Sequence, residues 1–118
     1  MSVNKVILVG NVGRNPEIRY VGDRPYATFS LATSDPAYVN AQGVQMPERT
    51  EWHNIVMWDK AAETAERYIT KGTKLYVEGK LRTRTWQDSN ALKHTITEII
   101  VEKFDILMRA QQAPQPNT

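Results

Sequence analysis

Cysteine is absent from the 118 residues, so disulfides, thiolate-held zinc and a cysteine nucleophile are all excluded. Histidine is scarce: His53 and His94 have no suitably spaced carboxylates around them, so neither a metal nor another cofactor is expected. Long apolar runs are missing as well. Val6 to Val9 stops at Gly10 and Asn11, too short for a signal-peptide core and far too short to span a membrane. A cytoplasmic protein without membrane contact is therefore expected. Phosphate-loop patterns are absent too. Gly79-Lys80 runs into Leu81 and lacks the partner glycine of G-x-x-x-x-G-K-[ST], and no G-x-G-x-x-G occurs. Gly10-Asn11-Val12-Gly13 spells the GXXG of a KH loop, yet it follows a strand and meets Pro16, where that loop should join two helices. Glu98 and Glu102 can share a strand face, but paired carboxylates on a surface strand are usually just solvated. No nucleophile, base and orienting group come together, so no enzyme is expected.

What is present reads as one globular domain. Hydrophobic residues make up 41% and charged residues 24%, far from disordered compositions. The length suffices for one core and not for two ordinary domains. Net charge is only +2, but it is unevenly spread. Between Lys71 and Trp86 five cations, Lys71, Lys74, Lys80, Arg82 and Arg84, stand against the single acid Glu78, so the basic character is concentrated in one segment.

Residues 3 to 11 are apolar on both parities, as in a strand covered on two faces. Residues 17 to 21 fit a short strand before a turn at Gly22-Asp23, and residues 26 to 34 alternate as a half-buried strand. Residues 35 to 49 carry two prolines, a glycine and no period, which predicts a long loop or hairpin arm. In the next strand Trp52, Asn54, Val56 and Trp58 share one face, and His53, Ile55 and Met57 the other. Asp59 then reads as the N-cap of a single helix ending near Gly72. Two more strands follow, around residues 74 to 86 and 95 to 108. Five strands with a helix between the third and fourth predict an all-β OB fold, a Greek-key barrel with one helix. Residues 1–109 form that domain, and 110–118 a Pro/Gln-rich tail expected to be disordered.

The segment KLYVEGKLRTRTW, residues 74 to 86, separates into an inner row, Leu75, Val77, Gly79 and Leu81, and an outer row, Tyr76, Glu78, Lys80, Arg82, Arg84 and Trp86. Glu78 is expected to pair with a neighbouring cation. Cations alone on a strand face are ordinary, since they also protect an edge against aggregation. Beside Trp86, and with Trp52 and Trp58 on the preceding strand, they take another meaning. Flat rings stack on unpaired bases for about 1–3 kcal/mol each, whatever the base, while Lys and Arg neutralise phosphates. The reading is a surface for single-stranded nucleic acid, with Trp52, Trp58, Trp86 and Tyr76 for bases and Lys5, Arg14, Lys60, Lys74, Lys80, Arg82 and Arg84 for phosphates. An OB-fold RNA-binding or primosome-type accessory protein is the alternative.

The segments NKVILVGNVGRNPEIRY (4 to 20), FSLATS (29 to 34), TEWHNIV (50 to 56) and ERYITKGTKLYVEGKLRTRTW (66 to 86) resemble the bacterial single-stranded DNA-binding protein family. The resemblance implies an OB-fold homotetramer that wraps single-stranded DNA without sequence preference, at the nucleoid, in replication, recombination and repair. It implies base stacking by Trp52, Trp58 and Trp86, with Tyr38 nearest to a further aromatic in the long loop, and a subunit contact at His53. The two-sided apolar first strand, with Val6 and Leu8, agrees with a cover supplied by another subunit. Family members commonly end in a long tail with an acidic tip that recruits other proteins. The segment AQQAPQPNT carries no acid, so recruitment by that route is not expected.

Overall fold

The structure, a computed structural model, describes residues 1–110; the expected tail, except Ala110, lies outside the described residues. The elements in chain order are β1 (Val6–Val12), β2 (Glu17–Val21), β3 (Arg24–Asp35), β4 (Tyr38–Val39), β5 (Gln45–Met46), β6 (Arg49–Trp58), α1 (Lys60–Tyr68), β7 (Lys74–Gln87) and β8 (Lys93–Met108). The main sheet runs β1-β7-β8-β6-β3-β2, and β1 also pairs with β3 through Asn11–Ala32 and Val12–Leu31. Five strands therefore close into a ring, with β2 hung on the side of β3 and α1 between the third and fourth ring strands, the expected OB-fold layout. The β6–β8 pairing is parallel, and the other pairings in the ring are antiparallel.

The alternation read from the sequence fills the ring. Phe29 and Leu31 of β3, Ile55 and Met57 of β6, and Leu75 and Val77 of β7 are fully buried, with Ile99 of β8 beside them. Each such side chain stabilises the fold by roughly 1.5–3 kcal/mol. Helix α1 packs against β3 and β6 with Ala62 and Ala65 facing inward, and small residues there let the helix lie close to the ring.

Two local expectations change and one open choice is resolved. The first strand begins at Val6, and it turns Val6 and Leu8 toward the core, while Ile7 and Val9 are left 59% and 46% exposed. Of the two readings of the segment after β3, the hairpin holds: β4 and β5 pair, and the Asn40 side chain accepts the N–H groups of Gln42 and Val44. Asp59 does not cap the helix with its side chain. Its backbone sits at φ 55°, ψ −122°, and its carboxylate is drawn instead to Arg24.

One irregularity divides β7. Glu78 pairs with Lys103 but Gly79 pairs with Val101, so Glu102 is left as the extra residue of a β-bulge. Gly79 is required at this point because a Cβ there would lie 2.3 Å from the carbonyl oxygen of Ile100. Every β7 residue from Lys80 to Gln87 is exposed, and past Arg82 and Glu98, where the pairing of β8 with β6 ends, β7 and β8 continue as a two-stranded arm.

Candidate nucleic-acid interface

Strand parity brings residues from four strands onto one outer face. On β6 these are Trp52, Asn54, Val56 and Trp58. Tyr26 and Thr28 of β3 lie opposite Trp58 and Val56, and Glu98 and Ile100 of β8 lie opposite Asn54 and Val56. Arg82 and Arg84 of β7 complete the wall. All of these but Trp52, together with Arg14, Glu17 and Arg19 at the rim, enclose a groove of about 410 Å³.

Trp58 is half-buried in this groove. Its ring lies 4.9 Å, centroid to centroid, from Tyr26 at a 32° tilt, and the Arg24 guanidinium carbon sits 4.7 Å from the ring centroid. The Arg24 fork donates to both oxygens of Asp59 at 3.2 and 3.0 Å. The hydrogen bonds from Arg24 hold the Asp59 carboxyl below the usual carboxylate range, and the same bonds raise Arg24. Trp52 is 59% exposed, and its ring lies across Gly13 and Ser30. It borders a second cleft with His53, Leu81 and Thr97, and Asn54 is shared between the two. Six residues of strand put Trp52 and Trp58 about 20 Å apart. Trp86 lies farther out on the arm, in the row of Arg82 and Arg84, 45% exposed and stacked on His94.

The charges are distributed less simply than the sequence row suggests. Arg84 donates its Nε and Nη2 to Glu98 at 3.1 and 3.4 Å, and these bonds raise the arginine further above its already high value. Glu98, expected as solvated, is only 7% exposed and forms part of the groove wall. Glu102 reaches Lys80 at 3.8 Å, and Arg14 lies 3.8 Å from Glu17. Among the described residues Arg82 makes no ion pair and faces the groove, so it is the cation most available to a phosphate. Lys60 and Lys74 are exposed but do not line the groove.

Other expected residues are not gathered here. Tyr76 and Glu78 precede the bulge and pair with Val9 and Ile7 of β1. The Tyr76 hydroxyl donates to Glu78, and Lys5 reaches the same carboxylate at 3.4 Å, so the expected partner of Glu78 is Lys5. The structure thus separates Tyr76 and Lys5 from the groove. Tyr38 is exposed on the β4–β5 hairpin. His53 shares a 2.9 Å hydrogen bond with the Thr33 hydroxyl. Val6 and Leu8, expected at a subunit contact, face inward, and Ile7 and Val9 are the outward apolar pair.

The residues that sequence reasoning missed are Arg24, Tyr26, Glu98, His94 with Asp88, and Gly13. Each acts through a neighbour that only the fold brings close, across a strand pair for Tyr26 and Glu98 and across a turn or loop for Arg24, Asp88 and Gly13, so the spatial pairing was the missing signal.

An open groove of flat rings and guanidinium groups on one face of an OB fold defines a binding module for an extended anionic chain with exposed planar groups. Known proteins agree. The profile described as the single-strand binding protein family matches residues 3–107. A single-stranded DNA-binding protein of Bacteroides thetaiotaomicron is 49% identical over 99% of this chain and 76% of its own length. A solved Plasmodium falciparum SSB, in complex with single-stranded DNA, superposes with a TM-score of 0.77 at 37% identity, covering 92% of this chain and 96% of the other. The chain belongs to the single-strand binding protein family.

Proposed function

We propose that this chain binds single-stranded DNA without sequence preference and protects it during replication, recombination and repair. The observation that supports this most is the coexistence, on one outer face, of Trp52, Trp58 and Trp86 with Arg82, Arg84 and Arg14. Capture is electrostatic, through Arg82 first, with Arg14, Lys60, Lys74 and Lys80 extending the path and Arg84 joining when a phosphate competes with Glu98. Bases then stack on the three indoles, which a duplex cannot offer because its base faces are already covered. The protein acts as a binder and not as an enzyme, in the cytoplasm; among the described residues no helix is long and apolar enough to cross a membrane.

Self-association into a tetramer belongs to the same proposal. The outer face of β1 leaves Ile7 and Val9 in water beside Tyr76, and covering them would also remove this apolar surface from solvent. His53 and Tyr38 are assigned to a subunit contact and to the DNA path of the loop, respectively, on the family resemblance.

Titration with oligo-dT of increasing length tests the reading, with light scattering for subunit number. Tryptophan fluorescence is quenched, the logarithm of affinity falls linearly with the logarithm of salt, and duplex DNA and matched RNA compete poorly. Unchanged fluorescence at saturating oligo-dT would refute the stacking mechanism.

A further inference from the structure

The arm ends in a cluster that the groove does not include. Trp86 and His94 are direct cross-strand partners, and their rings stack with centroids 4.4 Å apart and planes 21° apart. His94 is tethered: its Nε2 lies 2.7 Å from Oδ2 of Asp88. Asp88 is itself fixed, because its Oδ1 accepts the N–H of Asn90 at 2.9 Å and of Leu92 at 3.0 Å. The Asp88 N–H donates to the Leu92 carbonyl, the Ala91 N–H donates to the Asp88 carbonyl, and the Gln87 amide donates to the Ala91 carbonyl. A rigid turn thus holds Asp88, Asp88 holds His94, and His94 lies on Trp86.

We infer that His94 is a positioning residue for base stacking: oriented by Asp88, it covers one face of Trp86 and presents the other as a fixed platform for a DNA base. This rests on the single-stranded DNA reading above. An indole on an exposed strand loses side-chain freedom when a base settles on it. A ring already held in place loses less, so more of the stacking energy appears as affinity. The geometry also limits the outcome. With imidazole on one face, an incoming base takes the other, and base, indole and imidazole form a three-layer stack. The tether fixes the plane of the imidazole, which would otherwise rotate about its Cβ–Cγ bond.

The test is a double-mutant cycle read by the anisotropy of a labelled oligo-dT, so that the signal does not depend on tryptophan. His94→Ala weakens binding about two- to tenfold, the range an aromatic pair spans. In a Trp86→Ala background the same substitution changes nothing, because His94 acts only through the indole. His94→Phe keeps a flat ring over Trp86 and restores most of the affinity, which a general disruption of the arm would not allow. An equal loss in both backgrounds would mean that His94 contacts DNA directly and would overturn the inference. So would a His94→Ala protein that binds as wild type does. A wild-type protein that fails to bind oligo-dT overturns the functional reading instead, and the two failures are thereby distinct.

Discussion

An alanine at position 13 would place its Cβ 2.3 Å from Cζ3 and 3.0 Å from Cη2 of Trp52, and 2.8 Å from the hydroxyl oxygen of Ser30. Carbon atoms in contact rest about 3.5–4.0 Å apart, so the indole edge must retreat by more than about 1 Å. Trp52 is 59% exposed, so its ring can swing into solvent while the backbone stays. Gly13 is not among the residues at positive φ, and alanine therefore fits the local backbone. The reduced freedom of the unfolded chain then favours folding by about 0.4–1 kcal/mol and offsets part of the lost packing. Stability should change by no more than about 1 kcal/mol. Binding should suffer more, because a displaced ring forfeits much of the roughly 1–3 kcal/mol that stacking supplies per base.

Gly79 provides the contrast. A Cβ there meets the Ile100 carbonyl oxygen at the same 2.3 Å, but that atom belongs to the backbone of the bulge and has no free side to move into. Gly79→Ala should therefore destabilise the fold by about 1–3 kcal/mol. Urea unfolding and oligo-dT titration of Gly13→Ala, Gly79→Ala, Trp52→Ala and the Gly13→Ala/Trp52→Ala pair separate the two effects. Gly13→Ala should keep the urea midpoint, lose affinity, and add no further loss once Trp52 is gone. A Gly13→Ala protein that unfolds as early as Gly79→Ala, or binds DNA at wild-type strength, would refute the reasoning.

Three further outcomes follow from the same contacts. Glu98→Gln frees the Arg84 fork now held at 3.1 and 3.4 Å, so affinity for oligo-dT should rise and the slope of log affinity against log salt should steepen by about 0.7; an unchanged slope counts against Arg84 as a phosphate contact. Asp59→Gly removes a side chain from a backbone at φ 55°, ψ −122°, and it gives up only an exposed ion pair of small worth. The melting temperature should therefore rise by about 4 °C or more, as relief of backbone strain predicts, whereas a fall would show that the Arg24 clamp outweighs the strain. The His94 hydrogen bond, and after it the Leu92 N–H, hold the Asp88 carboxyl below its usual range. A lowered folded value means that Asp88 stabilises the hairpin tip above the ordinary carboxylate range near about 4, and that this contribution is lost as pH falls through the lowered value. The Trp86 near-ultraviolet circular dichroism of a Trp52→Phe/Trp58→Phe protein should show that acid step, and Asp88→Asn should abolish it.

Much of this was legible from residue order alone because burial in a ring of strands enforces a period of two. Phe29, Leu31, Ile55, Met57, Leu75 and Val77 all point inward as their alternation requires. Helical spacing of Ala62 and Ala65 marked α1, although the helix stops at Tyr68 and Ile69 is already extended, short of the expected end near Gly72. Pairings between strands left no such trace. Nothing near Arg24 in the sequence announces Asp59, thirty-five positions later, and Glu98 looks solvated until the arm lays Arg84 beside it.

The bulge at Glu78 and Gly79 shows why both rows of β7 were hard to read beyond it: Leu81, expected in the inner row with Leu75 and Val77, is 51% exposed because the strand leaves the core after Gly79. A period-two reading treats the segment as one straight strand, so that Tyr76, Glu78, Lys80, Arg82, Arg84 and Trp86 appear to share one surface. A strand of fourteen residues cannot stay straight around a closed ring. The extra residue, Glu102, sits on the partner strand, and the close approach that permits it is between Gly79 and the Ile100 carbonyl. Both partners are separated in sequence by about the length of the hairpin they close, so only the register reveals the bend. Its consequence is a division of labour within a single strand. Tyr76 and Glu78 remain beside the exposed Ile7 and Val9 of β1, while Arg82 and Arg84 line the groove and Trp86 lies farther out on the arm. Substitutions on either side of Gly79 should therefore separate: Tyr76→Ala acts on self-association and Arg82→Ala on DNA affinity, although the two side chains alternate in a single row.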